Sequence, residues 1–422
     1  MPEYLAPGVY VEEVPSAVKP IAGVSTSTAG FIGVVPDSVQ LPGPVKGQPG
    51  NFVAVTVNPA AAAKEVKLVT SWSDFVKYFG DLIAAEQPPA AGSTWPPAPG
   101  TPPPTPVAID DGYRHLAQAV YGFFNNGGTR CFVVRIAAEA DLRKALDALA
   151  PIDEIAIVAM PGVTTQASQE ALIDHCEGLQ SRFAILDGAM TATDFTKELI
   201  QGHTKDSSYA AIYFPWIKVF DPSEKLMHPD MDGTIAVPPS GHLAGVYARV
   251  DTERGVHKAP ANEPIRGALG VVYRLTKAQQ AGLNPPGVNV IRVFDGNKKV
   301  WGARTMGGNA NADFKYVNVR RVFIFLRESI DGGTQWVVFE PNDPSLWAKI
   351  IRNVTAFLTN VWRAGALFGT TPQEAFYVKC DAETNPPEVR DLGQVVTEIG
   401  VAIVRPAEFV IFRISQWAGP QK

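Results

Sequence analysis

From residue 131 to residue 214 the chain alternates short, predominantly apolar segments with amphipathic ones, and this alternation most limits the folds open to it. Residues 131–136, 155–159, 183–186 and 210–214 are too short for stable helices and, Arg135 apart, apolar at successive positions. That pattern predicts strands buried on both faces. Residues 139–149, 167–180 and 192–203 between them read as helical. Strands alternating with helices predict a largely parallel α/β sheet.

Upstream, residues 22–35 end in a buried strand, and 52–57 alternate as one strand of a hairpin. Ser71 N-caps a short helix that Gly80 closes, and residues 113–124 form a helix stopped at Asn125-Asn-Gly-Gly128. Nine prolines in the twenty positions 87–106 predict a stiff surface insertion. Residues 221–265, with six prolines, read as loop-rich. Strands follow at 288–294 and 301–305, then helices at 314–330 and 344–364. Val319, Val322, Phe323, Leu326 and Ile330 mark the apolar stripe of the first. Leu346, Ile350, Val354, Phe357, Leu358 and Val361 mark that of the second.

Both chain ends read as strands. Val9, Tyr10, Val11, Glu12 and Glu13 lie in one; Phe409, Val410, Ile411, Phe412, Arg413 and Ile414 lie in the other. A terminal strand has backbone donors and acceptors to satisfy. The two ends pair within one molecule, or each pairs with a neighbouring molecule by strand addition.

The chain has 422 residues, 46% of them apolar and 19% charged, which predicts a globular protein of two or three domains. A net charge of −5 gives no pull toward nucleic acid. No apolar run reaches the length of a membrane span, and the first residues do not resemble a secretory signal, so synthesis and folding in the cytoplasm are expected. Cys131, Cys176 and Cys380 are scattered and read as buried apolar residues. The sequence holds no dinucleotide fingerprint, P-loop, nucleophile elbow or His-Glu-x-x-His. His228-Pro-Asp-Met-Asp-Gly233 is the best candidate for a divalent metal, but reads more simply as a turn. His242 and His257 read as hydrogen-bonded structural histidines. No catalytic residue, metal or cofactor is expected. Lys315, Arg320 and Arg321 read as an exposed charged face or a docking face for an acidic partner.

Taken together, a series of segments resembles the contractile tail sheath family of phages, R-type pyocins and extracellular contractile injection systems. They are Tyr4-Leu-Ala-Pro-Gly-Val-Tyr-Val-Glu-Glu13, Phe123-Phe-Asn-Asn-Gly-Gly128 and Ala210-Ala-Ile-Tyr-Phe-Pro-Trp216. The longest runs from Val237-Pro-Pro-Ser-Gly-His-Leu to Asp251, followed by Arg254-Gly-Val-His-Lys-Ala-Pro-Ala-Asn262. Trp301-Gly-Ala-Arg-Thr305, Tyr316-Val-Asn-Val-Arg-Arg321, Trp336-Val-Val-Phe-Glu-Pro-Asn342 and Pro406-Ala-Glu-Phe-Val-Ile-Phe412 complete the set. Inserts at about 38–64 and 87–106 depart from a compact member.

The resemblance implies a multi-domain α/β plus α+β fold. Residues 1–20 would be an N-terminal arm and linker, 21–255 a largely parallel α/β outer domain, 256–403 a mixed inner tube-facing domain and 404–422 a C-terminal arm. The arms would be exchanged between subunits of a helical homo-polymer of hexameric rings. An inner tube protein, baseplate and terminal cap proteins and sheath paralogues are the implied partners, with no nucleic acid and no direct membrane insertion. Lys315, Arg320 and Arg321 would touch the tube. The particle would be assembled in the bacterial cytoplasm, then released or membrane-anchored. Two rival readings stay open: an α/β enzyme with an unrecognised site, and another structural component of the same tail machinery.

Overall fold

The structure is a computed structural model that describes residues 20–91, 95–96, 103–202 and 204–413. The expected N-terminal strand, Val9 to Glu13, lies outside the described residues, as does Ile414. The described chain forms two compact units: residues 24–327 with 403–413, and residues 20–23 with 328–402.

The larger unit is built on β1 (Ala29–Val34), β2 (Val66–Val69), β3 (Cys131–Ile136), β4 (Ile157–Ala159), β5 (Phe183–Asp187), β6 (Ala210–Phe214), β7 (Glu263–Pro264), β8 (Val288–Phe294) and β9 (Asn297–Val300). They form one sheet in the order β7-β9-β8-β6-β5-β4-β1-β3-β2. From β8 to β3 every pairing is parallel, while β2, β9 and β7 add antiparallel edges. The largely parallel sheet expected from the sequence is present.

The helices that flank it include α1 (Trp72–Phe79), α2 (Asp111–Asn125), α3 (Leu142–Leu149), α4 (Gln166–Leu179) and α5 (Ser240–Arg254). Side chains alternate across each strand, so neighbours in sequence enter opposite cores. Phe31, Val133, Ile157 and Tyr213 pack with Phe75, Leu116, Val120, Phe123 and Tyr247 of α1, α2 and α5. Ile32, Val134, Val158 and Phe214 pack with Leu146, Leu149, Leu172 and Ile173 of α3 and α4. Covering on both faces explains why the strands are apolar throughout.

Helix α5 corrects the loop-rich reading of 221–265. It is buried without a break from Ser240 to Val250, so it has no polar face and no amphipathic stripe to betray it. Its glycines permit close packing. A Cβ on Gly241 would lie 2.4 Å from the Ala119 Cα, and one on Gly245 would lie 2.4 Å from the Phe123 carbonyl oxygen. The same stretch also holds a short helix, Pro222–Met227, and the strand Thr234–Val237.

The Asn125–Gly128 stop works as expected and does more. Asn126 caps α2, and Gly128 N–H donates to the Phe123 carbonyl at 2.9 Å. The buried Asn126 side chain also donates to the Arg266 carbonyl and accepts from its N–H, while Arg249 of α5 donates to the Asn126 carbonyl at 2.9 Å.

Residues 256–327 join the α/β unit because β7, β8 and β9 extend its sheet; the contact boundary falls at Arg327–Glu328 rather than near 255. That boundary lies within α6 (Val317–Thr334). Its buried stripe includes Ile324, while Phe323 is 37% exposed. Residues 301–305 form no strand; Arg304 makes an isolated bridge to Tyr316.

In the smaller unit, α7 (Pro344–Arg363) is N-capped by Asp343, whose carboxylate accepts from Leu346 N–H at 2.8 Å. Its predicted stripe is buried as expected. It packs on the strand Phe376–Lys379, which pairs antiparallel with Glu398–Val401 to make, among the described residues, a sheet of two strands.

Candidate assembly interface

The C-terminal arm departs from expectation in its own subunit. Residues 406–413 carry no regular secondary structure, so the predicted strand is not formed there. Phe409, Val410, Ile411 and Phe412 are 69%, 69%, 78% and 84% exposed. Four adjacent apolar side chains facing water cost free energy unless something else covers them.

The chain is held firmly just before this exposed run. Glu408 accepts from Arg304 Nε at 2.8 Å and Arg304 Nη2 at 2.7 Å, a bidentate pair. It also accepts from Asn284 Nδ2 at 2.7 Å and Tyr316 OH at 2.9 Å. Burial pushes the Glu408 carboxyl up, but these donors, Arg304 foremost, more than offset it and hold the carboxyl below its ordinary value. Asn318 Nδ2 donates to the Val404 carbonyl at 3.2 Å. The arm root borders a groove lined by Arg254, Lys258, Lys277, Arg292, Phe294 and Trp301.

The three cationic residues singled out from sequence do not form one exposed face. Arg321 is 3% exposed, which corrects the expectation of an accessible charge. It pairs with Asp251 of α5 through Nη1–Oδ1 at 2.9 Å and Nη2–Oδ2 at 2.6 Å. Its Nη2 also donates to the Thr26 carbonyl at 2.8 Å, and Thr26 Oγ1 donates to Asp251 at 2.6 Å. Arg320 is half-buried, with its guanidinium 3.4 Å from the Phe314 ring centroid and its Nε and Nη2 bonded to Ser208 Oγ. Lys315 is half-buried, its ammonium 5.3 Å from the Tyr316 ring, and among the described residues it makes no ion pair. Helical spacing finds a stripe but does not reveal that Asp251, seventy residues away, neutralises one of its flanking cations.

The carboxyl ends of the central strands are where open α/β sheets bind ligands. Here Asp187, at the end of β5, accepts from Ser240 N–H at 2.8 Å, Ser240 Oγ at 2.7 Å and Gly162 N–H at 3.1 Å. The fully buried carboxyl ties down the start of α5, and burial pushes its pKa up to about 6. His242 is buried against Gly122, with Nδ1 lacking a hydrogen-bond partner, so the expectation of a hydrogen-bonded histidine fails there. Burial lowers its pKa to about 4. The His257 carbonyl, not its ring, accepts from Asn318. In the 228–233 loop Asp232 accepts from Thr234 N–H at 2.9 Å and Gly233 has φ +72°, a turn. Among the described residues no three His, Cys, Asp or Glu side chains gather as a metal site.

Residues 137–306 match the family model of the phage tail sheath protein central domain, and residues 309–416 match that of the phage tail sheath C-terminal domain. The sheath of an extracellular contractile injection system, PVC, in its contracted state is similar at a TM-score of 0.71 and 26% identity, over 99% of each chain. The contracted helical sheath of the anti-feeding prophage gives a TM-score of 0.69 at 27% identity, covering 97% of this chain and 99% of that one. A tail sheath protein of Vibrio phage KVP40 is 30% identical over 180 residues, 42% of this chain and 25% of the phage protein. The chain spans between 25% and 65% of the length of the curated relatives it matches. The chain belongs to the contractile tail sheath family, a family of structural proteins.

Proposed function

We propose that this chain is the repeating subunit of a contractile sheath. It polymerises with itself around an inner tube, is metastable when extended, and shortens to drive the tube through a target envelope. The observation that carries this reading is the likeness to a contracted sheath over nearly the full length of both chains. Neighbours that include anti-feeding prophage baseplate structures support a baseplate as a further partner.

The geometry favours strand exchange as the bond between subunits. Residues 409–412 form an exposed apolar segment, and the sheet of Phe376–Lys379 and Glu398–Val401 has two strands among the described residues. A two-stranded sheet is marginal alone and offers open edges. The arm of one subunit adds to that sheet in another, and the N-terminal strand around Val9–Glu13 joins in the same way. Main-chain hydrogen bonds then persist while the lattice changes shape. No cofactor enters this reading; the stroke draws on a contracted lattice of lower free energy, reached over a kinetic barrier.

Contact with the tube must release ring by ring, which suits exposed ion pairs of roughly 0–1 kcal/mol each. Lys315 remains available for that role, and Lys349 with the exposed Arg352 of α7 supplies a second candidate face. Arg321 is not part of it. Reversing Lys315, Lys349 and Arg352 to Glu should leave a folded subunit that forms empty cylinders but no tube-filled extended ones. Tube-filled particles from that variant would place the grip elsewhere. Deleting residues 409–422 should give a folded subunit that forms no cylinders, and normal cylinders would end the strand-exchange reading.

A further inference from the structure

We propose that an apolar knob on the smaller unit, centred on Phe339, docks into the basic, aromatic-walled groove on the larger unit of a second copy of this chain. This rests on the polymer reading above and adds a side-chain contact between copies that is separate from the arms.

Phe339 is fully exposed, and its φ of +67° lies in the left-handed region, an outlier for a bulky side chain. Val338 beside it is also exposed. Among the described residues nothing in its own subunit offsets either penalty, and a small polar residue would remove both. The loop is nonetheless tied down. Asn342 Nδ2 donates to the Gln394 carbonyl at 2.8 Å, and Trp347 Nε1 of α7 donates to Asn342 Oδ1 at 2.8 Å. The first of these bonds joins the loop to the segment that carries the exposed Leu392. Exposed acids stand beside both apolar residues: Glu340 follows Phe339, and Glu388 and Asp391 precede Leu392, against one cation, Arg390. The knob is thus an apolar centre with an acidic rim, held in place before any partner arrives.

The groove is its complement. It encloses about 1100 Å³, ample for a phenyl ring and its neighbours, and Phe294 and Trp301 on its wall pack with ring centroids 4.3 Å apart. Arg254, Lys258, Lys277 and Arg292 line it. Lys258 meets Glu263 at 3.5 Å and Arg292 donates to Gln280 Oε1 at 3.2 Å. Arg254 and Lys277 are exposed and, among the described residues, make no ion pair or hydrogen bond. Residues 409–411 also border the groove but stay mostly exposed, so they do not fill it. An aromatic anchor entering an apolar pocket inside a charged rim is the usual arrangement of a binding hot spot, and opposite charges on the two rims fix its orientation. Knob and groove are different surfaces of one chain. Each copy therefore gives one contact and receives another, so the contact propagates as a polymer needs and does not close after two subunits.

The test measures, for the full chain and its variants, the melting temperature of the monomer and the critical concentration at which it sediments as cylinders. Phe339→Asn removes only an exposed ring, and Asn tolerates the left-handed backbone, so this variant should melt at or above the parent. It should nevertheless raise the critical concentration roughly tenfold. Arg254→Glu with Lys277→Glu, and separately Glu340→Lys with Asp391→Lys, should each raise it roughly fivefold, and all four reversals in one chain should bring it back toward the parental value. A parental critical concentration for Phe339→Asn overturns the knob, and so does a melting temperature that falls in step with assembly. Failure of the four reversals to restore assembly overturns the pairing of these two surfaces. A parent chain that forms no cylinders rejects the polymer reading and the knob with it; cylinders from the parent and from every variant alike reject the knob alone.

Discussion

Replacing Arg321 with Met should destabilise the α/β unit by about 3–5 kcal/mol, the usual cost of stranding one member of a buried ion pair. The magnitude follows from what remains. The Asp251 side chain is 4% exposed, and without Arg321 its only remaining side-chain donor in this cluster is Thr26 Oγ1 at 2.6 Å. The variant also loses the guanidinium placed 4.9 Å from the Tyr247 ring, in a core where Tyr247 and Tyr213 hydroxyls bond at 2.6 Å. For a unit of this size the melting temperature should fall by roughly 5–8 °C. The assay is urea unfolding of the full chain at neutral pH, run as a cycle with Asp251→Asn and the double variant. Removing both charges should cost less than removing Arg321 alone, because no uncompensated carboxylate then remains. A loss below about 1 kcal/mol in Arg321→Met would refute the reasoning and return Arg321 to the exposed face expected from the helical pattern.

Other perturbations test the packing and the buried charges. The Asp187 carboxyl is held above its ordinary value of 3.8 at about 6, so the folded state binds a proton more tightly than the unfolded one. Its contribution is greatest below pH 4 and is lost as pH rises to about 6, by at most about 3 kcal/mol; the stability difference between the parent and Asp187→Asn should trace that window, and a difference independent of pH would contradict it. Gly241→Ala places a methyl 2.4 Å from the Ala119 Cα and should cost about 1–3 kcal/mol, whereas Gly178→Ala, with nothing within 4 Å, should gain about 0.5–1 kcal/mol. Equal effects from the two in a thermal melt would mean that α2 and α5 do not meet through glycine. Glu408 has the opposite sign to Asp187: its anchorage is complete above the ordinary carboxylate value of 4.5 and is lost only as pH falls below it, so cylinders should persist at pH 6.

Legibility in the sequence followed the physics of each segment. Strands 131–136, 183–186 and 210–214 stood out because burial on both faces leaves a near-continuous apolar run, broken only by Arg135, and Ser71, Gly80 and Asn126 marked helix ends through their own side chains or backbone freedom. Helix α5 did not, because full burial erased its periodicity and its glycines and preceding prolines mimic a loop. Arg321 was misplaced for a related reason: helical spacing tells which side chains share a face, not which distant carboxylate meets them. The arm was legible as a strand by composition, but in its own subunit nothing pairs with residues 409–413 as a strand among the described residues, since a strand exists only with a partner. The anchorage at Glu408 left no local signal at all, being assembled from residues 284, 304 and 316.

The most direct test is electron microscopy of the purified full-length chain, carried through to a reconstruction of the polymer. The account predicts hollow striated cylinders in which residues 409–413 of one subunit run as a strand along the 376–379 and 398–401 sheet of another. A chain that stays monomeric at high concentration, or cylinders in which that segment folds back onto its own subunit, would contradict it.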